Sequence, residues 1–378
     1  MNRRRFVRCA GGLAAPAVIG LSFQVGCGSS SESAGGRSLG GTLNFFGYDG
    51  EEGRNVARAF LESHGVKMQA TFQSSADEAL TRFRTGGRGA MDIVACNKDF
   101  YRTILASDVE FLQPLDMSRI PNAAGLFPAF KNAPWATRNG RTFAIPAIWG
   151  DEPCIYNPAK WDGVPPKYTD FADPKYKGEL VFLNDPFGNI WLFAVSLGMP
   201  RPHRLTQKQL DQVVAAMHSV KPNIVAFGAS LGDMADILIR GDASMGIGGW
   251  AYQTVIAAEK GVKLLAASPA TDGTFYWSDA YALALDAPNL DNAYAFINFM
   301  MLPQSNAALA SELGSGATVE KAFDLMDGKS KSLYRYDAVR RPDGGILNTQ
   351  IVIPPQDDDG EIVGAAKWAK AWEAFKLG

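Results

Sequence analysis

The chain has 378 residues, 47% of them hydrophobic and 20% charged, with a formal net charge of −2. That length exceeds what one small core organises, so two domains or lobes are expected. The mildly acidic balance excludes the basic footprint of a nucleic-acid binder and is compatible with a cationic ligand.

The N-terminus reads as an address. Asn2-Arg3-Arg4-Arg5-Phe6-Val7-Arg8 is basic, and the Ala/Gly-rich run from Cys9 to Val25 is too short and glycine-rich for a membrane span. Residues 1–26 therefore read as an export signal. Arg3-Arg4-x-Phe6-Val7 resembles the twin-arginine signal. Val25-Gly26-Cys27 resembles a lipoprotein cleavage box, with Gln24 where an aliphatic residue is usual, so Cys27 is a candidate for lipidation. Residues 27–40 form a Gly/Ser-rich linker able to span about 20 Å. The expected location is the periplasm or the outer face of the cytoplasmic membrane. Only Cys96 and Cys154 remain beyond the leader, read as free thiols or as a disulfide, and the three histidines are too scattered to predict a metal site.

From Gly41 strands and helices alternate. Residues 42–46 read as a strand turned by Tyr48-Asp49-Gly50, and Val56, Ala57, Phe60 and Leu61 follow at helical spacing. Val66, Met68, Ala70 and Phe72 alternate as on a strand. Ser75-Ala76-Asp77-Glu78 is a capping box opening a helix through Leu80 and Phe83, and Met91-Asp92-Ile93-Val94-Ala95 is a short buried strand. This alternation predicts an α/β fold with a mostly parallel sheet covered by helices. In such sheets ligands sit beyond the carboxyl ends of the strands, which selects Tyr48, Asp49 and the loop Cys96-Asn97-Lys98-Asp99. Asp49-Gly50 is equally a common turn pair.

After Trp149-Gly150 and Cys154-Ile155-Tyr156 a second series begins. Residues 180–183 form a strand, and Asp185-Pro186 an N-cap with proline at the first helical position. Helices follow at 189–197, 207–220 and 231–239, then a strand at 244–247, a helix at 252–260 and a strand at 262–266. Residues 275–283 read as an aromatic strand with one carboxylate in its middle, costly to bury without a partner. Trp277 and Asp279 leave the same face of that strand. Together they offer an aromatic plate and an anionic point, which suits an alkylammonium group. A solvated edge-strand Asp beside a core Trp is the alternative. Helices at 291–301 and 365–377 close the chain, the last stacking Trp368 on Trp372. Two α/β series with a returning chain predict two joined lobes rather than tandem domains.

Three motifs read as decoys. Gly228-Ala229-Ser230-Leu231-Gly232 matches a nucleophile elbow, but every histidine precedes Ser230, the wrong order for that hydrolase fold. Gly246-Ile247-Gly248-Gly249-Trp250-Ala251 resembles a dinucleotide turn, yet Trp250 crowds it and no acid ends the next strand. Asp357-Asp358-Asp359-Gly360-Glu361 lacks the ligand spacing of a calcium loop. A glycosidase using two of Asp49, Asp185 and Asp279 stays open at this level.

Seven segments in order, spanning most of residues 42–318, resemble the periplasmic substrate-binding proteins of polyamine (spermidine/putrescine) ABC transporters. They are Asp92-Ile93-Val94; Phe111-Leu112-Gln113-Pro114-Leu115-Asp116 with Ile120-Pro121-Asn122; Ile145-Pro146 with Trp149-Gly150; Asp173-Pro174-Lys175-Tyr176-Lys177-Gly178; Lys221-Pro222-Asn223; Trp277-x-Asp279; and Ala295-Phe296-Ile297-Asn298-Phe299 before Leu302-Pro303. The resemblance implies a two-lobed periplasmic-binding-protein fold of type II-like topology, with mixed sheets flanked by helices and a hinge between lobes. It implies that acids at Asp49, Asp185 and Asp279 hold ligand ammonium groups, with Trp277, and Trp250 if the glycine turn is one residue longer, lining the methylene chain. Three departures stand out. Gly47 occupies a usually aromatic position, Asn97-Lys98-Asp99 replaces a Ser/Thr-Tyr loop, and Gly188 replaces a further acid.

The resulting expectation is an exported, non-enzymatic, monomeric solute-binding component of an ABC importer, working with permease subunits and without a cofactor. Its ligand residues are Asp49, Asp185, Asp279, Trp277, Trp250, Tyr48 and Asn97, holding a polyamine-like cation. The same fold binding a zwitterion or anion, and a carboxylate-dependent hydrolase, are the alternatives. Lobe one is expected at 41–149 and 278–318, lobe two at 150–277 and 319–378.

Overall fold

The computed structural model describes residues 39–73, 81–82, 85, 89–107, 111–342 and 345–378. The export signal, Cys27, the spacer as far as Ser38, and the capping box at Ser75–Glu78 with Leu80 and Phe83 lie outside them. Fourteen strands, numbered along the chain, build the described part. The first are β1 (Gly41–Gly47), β2 (Val66–Phe72), β3 (Ile93–Asn97) and β4 (Leu112–Gln113), then a hairpin of β5 (Thr137–Arg138) and β6 (Arg141–Thr142), then β7 (Ala144–Asp151). The second series supplies β8 (Cys154–Tyr156), β9 (Leu180–Leu183), β10 (Ile224–Gly228), β11 (Met245–Ile247) and β12 (Leu265–Ala267). The chain then returns through β13 (Tyr276–Ala284) and β14 (Gly316–Ala317).

Each lobe is built on one sheet. The first runs β14-β7-β13-β3-β1-β2, with β4 paired to the end of β13; the second runs β10-β9-β11-β8-β12. The expected mostly parallel pattern holds for β1 with β2 and β3, and for β9 with β10 and β11. It fails where the chain changes lobe: β13 returns antiparallel to β3 and β7, and β8 lies antiparallel to β11 and β12. Both sheets are therefore mixed.

The apolar alternation gives each lobe a principal core and a smaller second cluster. Leu43, Phe45, Ile93, Tyr281, Phe296 and Ile297 anchor the principal core of lobe one, and Leu180, Phe182, Phe193, Val213, Trp368 and Trp372 that of lobe two. The helices Gln207–Val220 and Ala365–Leu377 have the limits their periodicity predicts. One boundary is corrected. Val319, Ala322, Met326, Tyr336, Val339 and Leu347 join the first core, and the second regains the chain only from Val352. Residues 319–342 and Leu347 thus belong with lobe one, where Tyr336 packs edge-on to Trp149 at 5.3 Å and donates its hydroxyl to Met326 Sδ.

Three segments cross between the lobes side by side: Glu152-Pro153, Thr274-Phe275 and the stretch leading to Val352. Glu152 N donates to Phe275 O at 3.2 Å, and Gln350 stitches the third to the second, accepting from Tyr276 N at 2.7 Å and donating to Thr274 O at 3.1 Å. The helix Lys98–Ala106 grips the same third segment, with Arg102 donating to Asn348 O and Lys98 Nζ to Leu347 O. Cys96 and Cys154 are both buried free thiols. No helix among the described residues is long and apolar enough to cross a membrane.

Asp92, the first residue of one of the resembling motifs, has a structural task. It is fully buried; Oδ2 accepts from Asn44 N at 2.7 Å and Asn289 Nδ2 at 3.0 Å, and Oδ1 from Asn289 N at 2.6 Å. It thereby ties β1, β3 and the segment after β13. Asp92→Ala is expected to destabilise lobe one by about 2–3 kcal/mol in denaturant titration, because three donors lose a charged acceptor. Ligand affinity per folded molecule should be unchanged.

Candidate ligand-binding site

The parallel strands of both sheets release the chain at their carboxyl ends toward one cavity, as the architecture favours. β1 delivers Tyr48, Asp49 and Glu51; β3 delivers Asn97; β9 delivers Asp185; β11 delivers Trp250. β13 runs across the floor and contributes Tyr276, Trp277 and Asp279. These side chains, with Glu152, Phe187, Phe275 and Leu313 among others, line a cavity of about 510 Å³. All seven residues singled out in the sequence border it.

They are not equivalent. Asp49 sits at the mouth, its side chain 77% exposed and 3.3 Å from Arg54. Glu51, two residues on, is buried, held by Tyr48 N donating to Oε2 at 3.3 Å and by Tyr281 OH donating to its carbonyl at 2.6 Å. The Glu51 and Asp279 carboxyls are both buried and line the same cavity. Burial and then the Asp279 charge push Glu51 well above the usual carboxylate range; burial raises Asp279 to about 6, with Glu51 working against the rise. Asn97 caps the helix Lys98–Ala106, accepting from Phe100 N at 2.9 Å, and its Nδ2 faces Tyr48 OH at 3.4 Å.

A second acidic pair comes from lobe two. Asp185 caps the helix Pro186–Ser196, Oδ1 accepting from Phe187 N at 3.0 Å and Oδ2 from Gly188 N at 3.1 Å. Burial raises its pKa, and the two backbone donors oppose the rise. Glu152, half-buried, also lines the cavity and is raised well above its ordinary value by desolvation and then by the Asp185 and Asp151 charges, with Trp250 working against the rise. Among the described residues, no ion pair joins Glu51, Asp279, Glu152 or Asp185 to a basic side chain. Lys98 reaches the cavity lining, but its Nζ is engaged with Leu347 O at 3.0 Å, and burial lowers its pKa to about 8.

The two tryptophans stack on each other, ring centroids 4.7 Å apart and planes at 21°. Trp250 comes from the lobe-two turn and Trp277 from the returning strand, so the stack bridges the cleft. Gly150 permits this, because a Cβ there would fall 2.7 Å from Trp277 Cε2. Gly47 is similarly constrained: a side chain would meet Ala95 Cβ at 2.6 Å and the Phe45 ring, so this conformation has no room for an aromatic plate. At Gly188 any Cβ would overlap the Asp185 carboxylate that caps its helix.

Sequence reasoning missed Glu51, Glu152, Phe275 and Tyr276. A faint signal existed for Glu152, since it directly follows the long buried strand β7, which ends on Asp151. The decoys resolve structurally. Ser230 caps the helix Leu231–Arg240 by accepting from Asp233 N at 3.1 Å, and Asp358 and Asp359 pair with Lys367 and Arg204. Among the described residues, no group of His, Cys, Asp and Glu is arranged to hold a metal.

Two mixed α/β lobes, three crossings and an acidic, aromatic cavity between them define a binding protein for a small solute. Residues 55–335 match the model of the bacterial extracellular solute-binding protein family, and the chain belongs to that family. It is therefore an extracytoplasmic solute-binding protein of the kind that serves ABC importers, and not an enzyme. The chain is 24% identical over 277 residues to the spermidine/putrescine-binding periplasmic protein of Escherichia coli, covering 72% of this chain and 76% of that one. Over 268 residues it is 26% identical to the putrescine-binding periplasmic protein SpuD of Pseudomonas aeruginosa, covering 66% and 71%. The fold matches a spermidine/putrescine ABC transporter substrate-binding protein, PotD, of Streptococcus pneumoniae with a TM-score of 0.70 at 24% identity, over 89% of this chain and 98% of that one. The resemblance drawn from the seven segments holds.

Gly150→Ala tests the tryptophan stack. It is expected to displace Trp277, to destabilise the protein by about 1–3 kcal/mol through overpacking, and to weaken ligand binding. Thermal denaturation and a ligand titration followed by tryptophan fluorescence would measure both.

Proposed function

We propose that the chain binds a polyamine-like organic cation between its lobes and delivers it to the permease of an ABC importer. The carrying observation is four carboxyl groups lining one cavity, Glu51 and Asp279 buried and Glu152 and Asp185 half-buried, with no basic partner among the described residues. Buried charge is tolerated when paired, and a ligand ammonium supplies the missing partner. Trp277 and Trp250 offer π-faces for the cation and apolar surface for its methylene stem. Tyr48 and Asn97 add polar groups at one end. Asp49 acts from the mouth, where solvent screens it. An acid pair on each wall favours a ligand with two separated cationic ends, and such a ligand links the lobes. The names of the relatives support the same class. Export through residues 1–26 and anchoring at Cys27 complete the reading.

Thermal-shift screening against putrescine, spermidine, amino acids and simple carboxylates tests it. A ligand at a hundredfold excess over Kd stabilises by about 2.7 kcal/mol, so an amine ligand should raise Tm and the carboxylates should not. A shift with carboxylates alone would overturn the cation assignment. Asp279→Asn is expected to weaken amine binding by about 1–3 kcal/mol, read by calorimetric titration. Unchanged affinity would remove Asp279 from the site.

A further inference from the structure

Of the two acids after β1 that line the cavity, Glu51 is buried, while Asp49 is exposed at the mouth beside Arg54. Glu51 and Asp279 are both buried and line the same cavity, and two carboxyl groups so placed without a cation keep a proton between them.

The surroundings give that proton no reason to leave while the site is empty. From the turn that bears Glu51, the pair is faced by Tyr48 and by Glu52, whose own charge is taken up by Arg54 at 2.9 Å. From β3 it is faced by Cys96, from the helix Lys98–Ala106 by Tyr101, and from β13 by Tyr281. These groups are anionic or neutral at pH 7; none is a cation. Two carboxylates cannot both ionise cheaply in such a place. An ammonium group changes the balance, since it offers the positive charge and the N–H donors that both carboxylates lack.

We propose that Glu51 is a ligand carboxylate of this site, acting where Asp49 does not reach, and that the Glu51–Asp279 pair gives up its shared proton to solvent when an ammonium group binds against it. The step balances. A singly protonated pair of charge −1 and a protonated amine yield a doubly ionised pair holding the ammonium, and one proton is released. The proposal rests on the cation reading above and adds to it a proton exchange and a residue. The sign follows: affinity rises with pH while the empty pair still holds its proton.

Calorimetric titration of the whole protein with putrescine and with spermidine at pH 7, in phosphate and in Tris, measures the exchange through the different ionisation heats of the buffers. The wild type is expected to release close to one proton more per ligand than Glu51→Gln, which still binds but about tenfold more weakly. Equal release by the two proteins would overturn the exchange. Thermal denaturation without ligand reads the pair independently. A carboxyl whose pKa is raised by folding makes the folded state lose stability as pH climbs from the unfolded carboxylate range to the folded value. Wild-type stability should therefore fall over that interval relative to Glu51→Gln, with the two alike near pH 4. Parallel curves would overturn the shared proton. No heat with either amine would instead overturn the cation reading and the exchange with it, whatever the denaturation curves show.

Discussion

Carboxyl groups gathered in a low-dielectric cleft without a resident countercharge are the constraint on which this structure turns. At an effective dielectric near 20, two like charges about 4 Å apart repel by about 4 kcal/mol. The fold tolerates the arrangement because burial raises the pKa values of these acids and because backbone donors hold Asp185 and Glu51 in place.

The remainder of the architecture serves to bring these acids together from separate cores. The carboxyl ends of β1 and β3 carry one wall, those of β9 and β11 the other, and β13 runs between them. The three crossings are hydrogen-bonded to one another through Glu152, Thr274, Tyr276 and Gln350. One wall acid, Glu152, lies within a crossing, so the ligand's surroundings and the connection between lobes share residues. Trp250 and Trp277 close the space between walls by stacking on each other.

Much of this was legible in the sequence, and the reasons differ by feature. Periodicity located β9, the helix Gln207–Val220 and the last helix, because apolar spacing is set by local geometry. The strand-end rule selected Tyr48, Asp49 and Asn97 because parallel strands in one sheet must point the same way. Sheet order was not legible, since a returning strand such as β13 pairs with residues nearly 200 positions away. Residues 319–342 and Leu347 were misplaced for the same reason: their short helices carry no mark of which core they will join. Glu51 was passed over because Asp49 and Glu51 share one turn, and only the fold decides which is buried. Glu152 follows a motif whose tryptophan and glycine drew attention away from the acid.

Asp185 performs two tasks, capping a helix with both carboxylate oxygens while lining the cavity. Natural variation cannot test its contribution to recognition without also loosening the helix, so drift there is suppressed by folding alone. Glu152 and the rim residue Asp49 carry no such helix-capping duty. Their side chains can change without removing a helix N-cap, which a change at Asp185 cannot.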